Sequence, residues 1–439
     1  MGGAPGPARA SFPTDDGGGS IPAVVWTTIL PEATETRHPV DTPRRLLLVG
    51  TYTPDSDPPG KGEGVHRVWF DPETGELTPD GVAARTTGPS FLAFRPDPPT
   101  VYAVNERAEG SLTAFRVHGD ATLTELGSAP TGGGSPCHVR YLGPERVAVA
   151  NYANGVVTIQ PTGVDGAPTE PRRELAHRGH GPVSDRQEGP HAHSTAVVLD
   201  SHDPRLRYLL AADLGTDELR VYHYATPLNE ENQGPAPAID EGLLGTVRLP
   251  SGTGPRHMAV NGRHVYVTGE LDSRVHVVRW NPRNGTGQHL GSVPAVGDPL
   301  PDNFPAEIAL HRLKVEGREI ADGDALPMTT TYEGRVYVSN RGADAVSTFA
   351  VRDEGARLEH LADTPVGAWP RHFTVVRGHN GQPDHLVVAA QNGDSLMSLL
   401  IDPDTGIPTD TGHRLDVPVP VCVLPVPIKR IQRAEAAQA

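Results

Sequence analysis

The sequence predicts an all-β protein that folds as a seven-bladed β-propeller, closed by pairing the C-terminal strand with the N-terminal blade. Three observations lead to this prediction: a short β-run recurs seven times, hairpin turns follow the runs, and a strand missing from the first repeat reappears near the C-terminus. An open β-solenoid is the alternative for such a repeat. The length of the repeats and the displaced strand favour the closed ring.

The recurring run is a stretch of apolar and β-branched residues that ends in a small or polar turn residue. Its copies, aligned on that residue, lie 46 to 71 positions apart. They are Leu46–Tyr52, Val101–Glu106, Val147–Tyr152, Tyr208–Gly215, Val265–Leu271, Val336–Gly342 and Leu386–Gly393. A second β-run follows each copy, often across a turn with Gly, Asn or Asp, which is the signature of a β-hairpin. We therefore expect four strands in each repeat.

Six repeats also have a leading strand before the recurring run. These strands are Ser90–Phe94, Cys137–Tyr141, His193–Leu199, Arg256–Val260, Glu307–Leu310 and Arg371–Val375. The chain before Leu46 is not strand-like, whereas Val417–Leu424 reads VPVPVCVL. Pairing this last segment with the first repeat would complete its sheet and remove the open edges that promote aggregation.

The expected organisation is a disordered leader at 1–41, one propeller domain at 42–430 and a flexible tail at 431–439. The leader is rich in Gly, Pro and Ala without strand or helix periodicity, and it lacks the apolar core of a signal peptide. Nothing in the chain approaches the roughly 18 apolar residues of a membrane span. We therefore predict a cytoplasmic protein. Since a closed ring needs no partner for stability, we also predict a monomer.

Charge and cysteine content exclude several functional classes. The formal net charge is −16, from 54 acidic and 38 basic residues, and no basic run offers a nucleic-acid surface. The two cysteines, Cys137 and Cys422, cannot build a disulfide framework, and their surroundings contain no zinc-type spacing. Two buried thiols in a reducing compartment are the expectation.

Polar side chains gather where the leading strands begin and where the recurring runs end. Those at the strand starts are His138, His191, His193, Arg256, His257, Glu307 and Arg371, and those at the run ends are Asn105, Asn151, Asp213, Glu270, Arg341 and Gln391. A single such residue usually satisfies a local hydrogen bond, but several arginines near one axis need an anionic partner. Because arginine binds phosphate and carboxylate in a bidentate manner, we predict a pocket for a small anion. A purely structural ring of buried polar residues is the alternative.

Ordered motifs then give a resemblance. They include VGTYT (Val49–Thr53), GGGSPCHV (Gly132–Val139), RQEGPHAHS (Arg186–Ser194), GPRHMAVN (Gly254–Asn261), SNRG (Ser339–Gly342) and PRHF (Pro370–Phe373). Over roughly Leu46 to Leu424 the chain resembles the lactonase family of propellers, which includes 6-phosphogluconolactonases and fungal carboxymuconate-lactonizing enzymes. It departs from the family pattern in extra stretches at Ala225–Gly242 and Arg312–Thr330, and in Thr268-Gly269 where an Asn is expected before Glu270.

The resemblance implies a metal-independent hydrolase of a small anionic sugar lactone, above all 6-phosphogluconolactone, with no cofactor. By motif, the catalytic set falls on His193, Arg256, Glu270 and Arg341. The substrate-binding residues expected around this set are His138, His191, His257, Glu307, Arg371, Asn105, Asn151, Asp213 and Gln391. Arg256 and Arg341 would hold the anion and neutralise charge at the carbonyl, and no GxSxG elbow indicates an acyl-enzyme.

Four questions stay open at the level of the sequence. Either Glu270 or His193 could be the general base. A cycloisomerase of carboxymuconate-type lactones would use the same ring of residues, and a non-catalytic scaffold would not need them in one pocket. His191 and His193, two apart with Glu188 nearby, could hold a metal, but an arginine-rich pocket disfavours a cation.

Overall fold

Each repeat of the sequence folds as a four-stranded antiparallel sheet, and seven of these sheets are blades of a closed ring. The computed structural model describes residues 44–143, 145–199, 206–225, 242–315, 331–379 and 381–437. The expected leader and most of the two extra stretches lie outside these residues. The predicted seven-bladed propeller is confirmed.

The strands of the blades follow one another along the chain. They are β1 (Arg45–Thr51), β2 (Val65–Phe70) and β3 (Leu77–Ala84); β4 (Leu92–Pro96), β5 (Pro99–Asn105), β6 (Ser111–Val117) and β7 (Leu123–Pro130); β8 (Pro136–Gly143), β9 (Arg146–Asn151), β10 (Val157–Pro161) and β11 (Arg173–Leu175); β12 (Ala192–Leu199), β13 (Leu206–Asp213), β14 (Glu218–Ala225) and β15 (Leu243–Arg248); β16 (Pro255–Asn261), β17 (His264–Gly269), β18 (Arg274–Asn281) and β19 (Thr286–Pro294); β20 (Phe304–Val315), β21 (Thr331–Arg341), β22 (Ala345–Arg352) and β23 (Arg357–Pro365); and β24 (Pro370–Val376), β25 (His385–Ala390), β26 (Ser395–Ile401), β27 (Pro408–Asp416) and β28 (Pro420–Val426).

The ring closes through the C-terminal strand, as the sequence predicts. Strand β28 pairs with β1, Leu48 opposite Leu424, and completes the first blade in the order β28-β1-β2-β3. The innermost strands β4, β8, β12, β16, β20, β24 and β28 each contact the next around the axis, and β28 contacts β4. The inner strands therefore pack around one axis in an unbroken ring.

The second strand of each blade is buried on both faces because neighbouring blades pack against it. All of Leu46–Thr51 in β1 and His264–Gly269 in β17 are buried, whereas the outermost strand β15 is largely exposed. Burial on both faces requires a continuous apolar run in place of an alternating one. Each buried Val or Leu stabilises the fold by about 1.5–3 kcal/mol. This is the physical reason that the recurring run is so visible in the sequence.

Residues 431–436, expected to belong to a flexible tail, are helical together with the three residues before them. They form helix α1 (Ile428–Ala436), whose Ile428 and Ile431 are buried in the cluster shared by the first two blades. Gln432 Nε2 donates to the carbonyl of Gly119, and Gly119 N donates to Glu435 Oε1 at 3.0 Å. The three-residue spacing of the isoleucines places both on one helix face, which the blades cover. Residues 438–439 lie outside the described part of the chain.

Candidate active site

A β-bulge marks the start of most inner strands and points their side chains at the axis. Pairing registers shift at Pro136/His138, Ala192/Ser194, Pro255/Met258, Pro305/Ile308 and Pro370/His372. The residues left without an opposite partner are Cys137, His193, Arg256 with His257, Ala306 with Glu307, and Arg371. A bulge bends the strand and re-aims a side chain, so this repeated irregularity gathers polar groups at one mouth of the channel.

Glu270 lies at the centre of this cluster, directly after β17. Its Oε2 accepts a 2.6 Å hydrogen bond from Arg341 Nη2 and lies 2.9 Å from Arg256 Nε. Its Oε1 accepts a 2.6 Å hydrogen bond from Arg186 Nη2. Burial alone would raise the pKa of Glu270, but the guanidinium groups of Arg341 and Arg256 outweigh it and hold the pKa well below its usual range. Glu270 is therefore an ionised carboxylate whose two oxygens both face arginine.

A second carboxylate, Glu106, lies beside Arg371, which is the fourth arginine of the site. Tyr52 donates its hydroxyl to both oxygens of Glu106 at 3.2 Å. The guanidinium of Arg371 lies over the Tyr52 ring, 5.3 Å from its centre. Burial raises the pKa of Glu106, and Arg371 opposes that rise. Arg371 thus belongs to the same pocket as Arg186, Arg256 and Arg341.

The four arginines of this pocket carry more positive charge than the carboxylates of Glu270 and Glu106 can neutralise. Burial, reinforced by repulsion from Arg341 and Arg371, lowers the pKa of Arg256 to about 9. Arg256 is 2% exposed, and its Nη1 has no hydrogen-bond partner among the described residues. A buried charged donor without a partner is costly unless a ligand supplies the acceptor. The pocket is therefore built to receive an anion.

A layer of neutral histidines lies next to the arginines. The His193 ring is 5.4 Å from that of His257, which is 5.7 Å from that of His138. Burial lowers the pKa of all three well below its usual value, and nearby arginines add to the effect. His257 Nδ1 lies 2.9 Å from Glu307 Oε2. These side chains are therefore neutral near pH 7, which keeps an unprotonated ring nitrogen on each.

Beyond the histidine layer the channel contains a cavity of about 340 Å³. Its walls include Phe91, His138, Thr195, His257, Met258 and Glu307. The ring of Phe91 lies 4.5 Å from His138 and 5.5 Å from His372. Phe91 therefore packs among the histidines and forms part of the wall of this cavity.

The sequence matches the family described as "Lactonase, 7-bladed beta-propeller" over residues 46–425. The chain belongs to the lactonase family of seven-bladed propellers. It is 29% identical to the 6-phosphogluconolactonase of Bacillus subtilis over 385 residues, covering 85% of this chain and 96% of that protein.

Solved structures of related proteins agree with this family. A Bacteroides fragilis protein described as a candidate 6-phosphogluconolactonase superposes with a TM-score of 0.71 at 28% identity, over 89% of this chain and 99% of its own. The periplasmic gluconolactonase of Pseudomonas aeruginosa superposes with a TM-score of 0.66 at 30% identity, over 88% and 100%. The resemblance inferred from the motifs is thereby confirmed.

In this lactonase-family protein the four residues expected to be catalytic lie together. Arg256 and Arg341 contact Glu270, and His193 lies close enough for its charge to be coupled to those of Glu270 and Arg256. Arg371 is near the same group, and His257 and Glu307 lie one layer further along the axis. A scaffold without a site would not need this convergence.

Of the four remaining residues expected to bind substrate, Asn105, Asn151 and Asp213 have side-chain partners within the protein. Asn105 donates to Thr86 Oγ1 and the Thr87 carbonyl, and Asn151 donates to Thr158 Oγ1. Asp213 forms a buried ion pair with Arg220 and accepts from His191 N. Gln391 is half-buried, and its Oε1 has no hydrogen-bond partner in the described part of the chain. The substrate-binding role of these residues stays a prediction.

His191 lies at the edge of the site, where its ring stacks on Tyr152 at 4.6 Å. Its Nδ1 is 2.8 Å from the Tyr152 carbonyl, and its Nε2 is 3.1 Å from Glu188 Oε1. Within the described ranges no group of three or more His, Cys, Asp or Glu side chains is arranged to hold a metal ion. No helix of these ranges is long and apolar enough to cross a membrane.

The predicted set of catalytic and substrate-binding residues omitted several residues of the site: Tyr52, Glu106, Tyr152, Arg186 and Trp369. Two of them adjoin residues that were predicted, since Glu106 follows Asn105 and Tyr152 follows Asn151, and Trp369 directly precedes the PRHF motif. Trp369 has a positive φ of 58° and lies 5.5 Å from the Arg341 guanidinium, an unusual backbone conformation for a bulky residue. Arg186 opens the quoted RQEGPHAHS motif, and its position there was the available signal.

Proposed function

We propose that the protein hydrolyses a small anionic sugar lactone without a metal ion, and that 6-phosphogluconolactone is its substrate. The observation that carries the proposal is the buried cluster in which Arg186, Arg256, Arg341 and Arg371 surround Glu270 and Glu106. Such an excess of guanidinium groups recognises phosphate or carboxylate. The relative from Bacillus subtilis is a 6-phosphogluconolactonase, which fits this chemistry.

His193 is the general base in this proposal. Both oxygens of Glu270 are already engaged by arginines, so this carboxylate has no oxygen left to accept a proton from water. His193 is neutral because burial lowers its pKa well below the usual value. The role of Glu270 is to hold the guanidinium groups of Arg256 and Arg341 in place and to stabilise the imidazolium as it forms.

The reaction then needs no covalent enzyme intermediate. His193 removes a proton from water as the water oxygen bonds to the lactone carbonyl carbon. Arg256, whose Nη1 lacks a partner among the described residues, and Arg341 neutralise the resulting oxyanion. The ring C–O bond then breaks, and the proton on His193 passes to the departing oxygen, which becomes a hydroxyl. The product is an open-chain carboxylic acid that ionises.

A cation has no obvious place in this pocket. The carboxylate of Glu270 is already neutralised by Arg186, Arg256 and Arg341, so a divalent ion would have to displace guanidinium groups. Oxygen-rich sites with an excess of negative charge are what calcium and magnesium require. We therefore expect hydrolysis to be unaffected by chelators.

The test is hydrolysis of freshly made 6-phosphogluconolactone, measured above the spontaneous rate with and without EDTA. We expect Arg256→Ala and His193→Gln each to lower kcat by about 100-fold or more, as loss of an oxyanion donor or general base does. Arg352→Gln removes a surface arginine paired with Glu359 at 2.7 Å and should leave the rate unchanged. Loss of activity in EDTA, or turnover of a carboxymuconate-type lactone alone, would contradict the proposal.

We also propose that the protein is a cytoplasmic monomer. Cys137 and Cys422 are both buried and unpaired, which suits a reducing compartment. The related gluconolactonase from Pseudomonas aeruginosa is periplasmic, so fractionation of the native cell is the decisive measurement. Light scattering coupled to gel filtration tests the monomer, and a mass near twice 46.6 kDa would contradict it.

A further inference from the structure

Arg186 differs from the other arginines of the site in its exposure. Its side chain is 34% exposed, whereas those of Arg256 and Arg341 are 2% and 7% exposed. It lies at the mouth of the pocket and reaches inward to Glu270 Oε1. Of the groups that hold Glu270, it is therefore the one that an arriving solute meets first.

Glu270 can release Arg186 without becoming an uncompensated charge. Arg341 and Arg256 both contact Oε2, whereas Arg186 contacts Oε1. If the Arg186 side chain turns away, two guanidinium groups still neutralise the carboxylate. Arg186 Nη2 also donates to the Tyr152 hydroxyl at 3.4 Å, so an uncharged hydrogen-bond acceptor is available to Arg186 besides Glu270.

The backbone that carries Arg186 is firmly held, so only its side chain needs to move. The neighbouring Gln187 is fully buried, and its Nε2 donates to Asp217 Oδ1 and the Leu214 carbonyl, both at 2.8 Å. Asp217 in turn accepts from Gly254 N, two residues before Arg256. These bonds tie the Arg186 turn to the strand that positions Arg256. These buried contacts hold the backbone of the Arg186 turn at a fixed place relative to the backbone of Arg256.

From these contacts we infer that Arg186 is the specificity-determining residue. Its side chain gives up its bond to Glu270 and binds the substrate's anionic group, which lies at the end of the substrate away from the lactone carbonyl. This inference rests on the proposed function. The inner arginines hold the carbonyl end, whereas Arg186, at the mouth, receives the phosphate that a phosphorylated sugar lactone carries at its other end. The exchange replaces one charge-assisted hydrogen bond by another, so an unphosphorylated lactone, which offers no such group, cannot draw Arg186 away.

The experiment measures discrimination between two substrates. For wild type and Arg186→Gln, kcat/KM is determined with 6-phosphogluconolactone and with unphosphorylated gluconolactone. The ratio of the two values should fall by about 10- to 100-fold in the variant, the loss expected for one charge-assisted contact. Using the ratio cancels any general damage caused by removing a partner of Glu270. Arg352→Gln, similarly exposed at 37%, should leave the ratio unchanged. An unchanged ratio in Arg186→Gln would overturn the inference.

A binding measurement separates this inference from the proposed reaction. Calorimetry compares 6-phosphogluconate with gluconate on wild type and Arg186→Gln. If wild type hydrolyses neither lactone but binds 6-phosphogluconate, and Arg186→Gln weakens that binding tenfold or more, the recognition role stands and the catalytic proposal fails. If wild type binds both acids equally, or the variant binds as wild type does, the recognition role is wrong whatever the turnover.

Discussion

Glu270 and Arg341 lie 71 positions apart in the chain and meet through a 2.6 Å hydrogen bond between neighbouring blades. Glu270 follows the second strand of the fifth blade, and Arg341 ends the second strand of the sixth. The bond therefore depends on how two sheets pack side by side and not on either sheet alone. The predictions below follow from contacts of this kind.

Glu270→Gln should lower the free energy of unfolding by about 3 kcal/mol, because it leaves buried guanidinium groups without a counter-charge. Added phosphate should recover part of this loss by binding the freed arginines. Urea unfolding with and without phosphate measures both effects. Glu359→Gln, which breaks an exposed pair with Arg352, should leave the free energy of unfolding nearly unchanged. Equal losses in the two variants would contradict the prediction.

The free energy of unfolding should fall in mild acid because His138 is buried in its neutral form. Burial lowers its pKa well below the usual 6.5, so below pH 6.5 the unfolded chain binds a proton that the folded chain does not. The contribution of His138 to the free energy of unfolding is fully present above pH 6.5. It is lost as the pH falls toward the pKa of the folded state, by up to about 1.4 kcal/mol per pH unit. Denaturant unfolding of wild type and His138→Gln between pH 7.5 and 5.5 tests this. Wild type should lose stability more steeply, and parallel curves would show that the pKa is not depressed.

Gly215→Ala should destabilise the protein by about 3 kcal/mol. A Cβ at this position would lie 1.8 Å from the Gly189 carbonyl oxygen and 2.8 Å from His191 N, both of which are backbone atoms. The turn that carries His191 would have to move, so the activity should fall as well. Thermal unfolding and turnover measure the two effects. At Gly245 an added Cβ meets nothing within 4 Å, and Gly245→Ala should be close to neutral.

Ile431→Ala should lower the free energy of unfolding by about 2–4 kcal/mol, because Ile431 is 4% exposed and packs into the core of the first two blades. Guanidinium unfolding gives the value. Val164→Ala, at a side chain that is 82% exposed, is the matched control and should change stability by less than about 0.5 kcal/mol. A neutral Ile431→Ala would mean that α1 is not docked in solution.

The sequence predicted the ring because its signal is local to each repeat. The second strands are buried on both faces, so runs such as Leu46–Val49 are continuously apolar and stand out. The closing strand was also visible, since one repeat lacked its leading strand. Helix α1 was missed because its isoleucines form only a short amphipathic stretch, whose partner surface lies some 300 residues earlier.

The site was predictable only where its residues sit in motifs. His193, Arg256, Glu270 and Arg341 were selected from short ordered segments, and the structure brings them together. Arg186 opens the RQEGPHAHS motif and Tyr152 follows Asn151, but the meeting of their side chains in one pocket depends on how the loops that carry them pack together. The bulges that aim the inner side chains depend on strand pairing across each blade, which a single strand does not reveal.

Ring closure by β28 has a consequence for the timing of synthesis. Tyr52 comes from the first blade and Arg371 from the last, and the two side chains lie 5.3 Å apart in the finished site. Tyr52 leaves the ribosome long before Pro420–Val426 does. Until that segment emerges, the first blade of the nascent chain lacks its inner strand. Every shortened chain that ends before this strand lacks a closed pocket, so the nascent protein becomes able to bind its ligand only after residues 420–426 have left the ribosome.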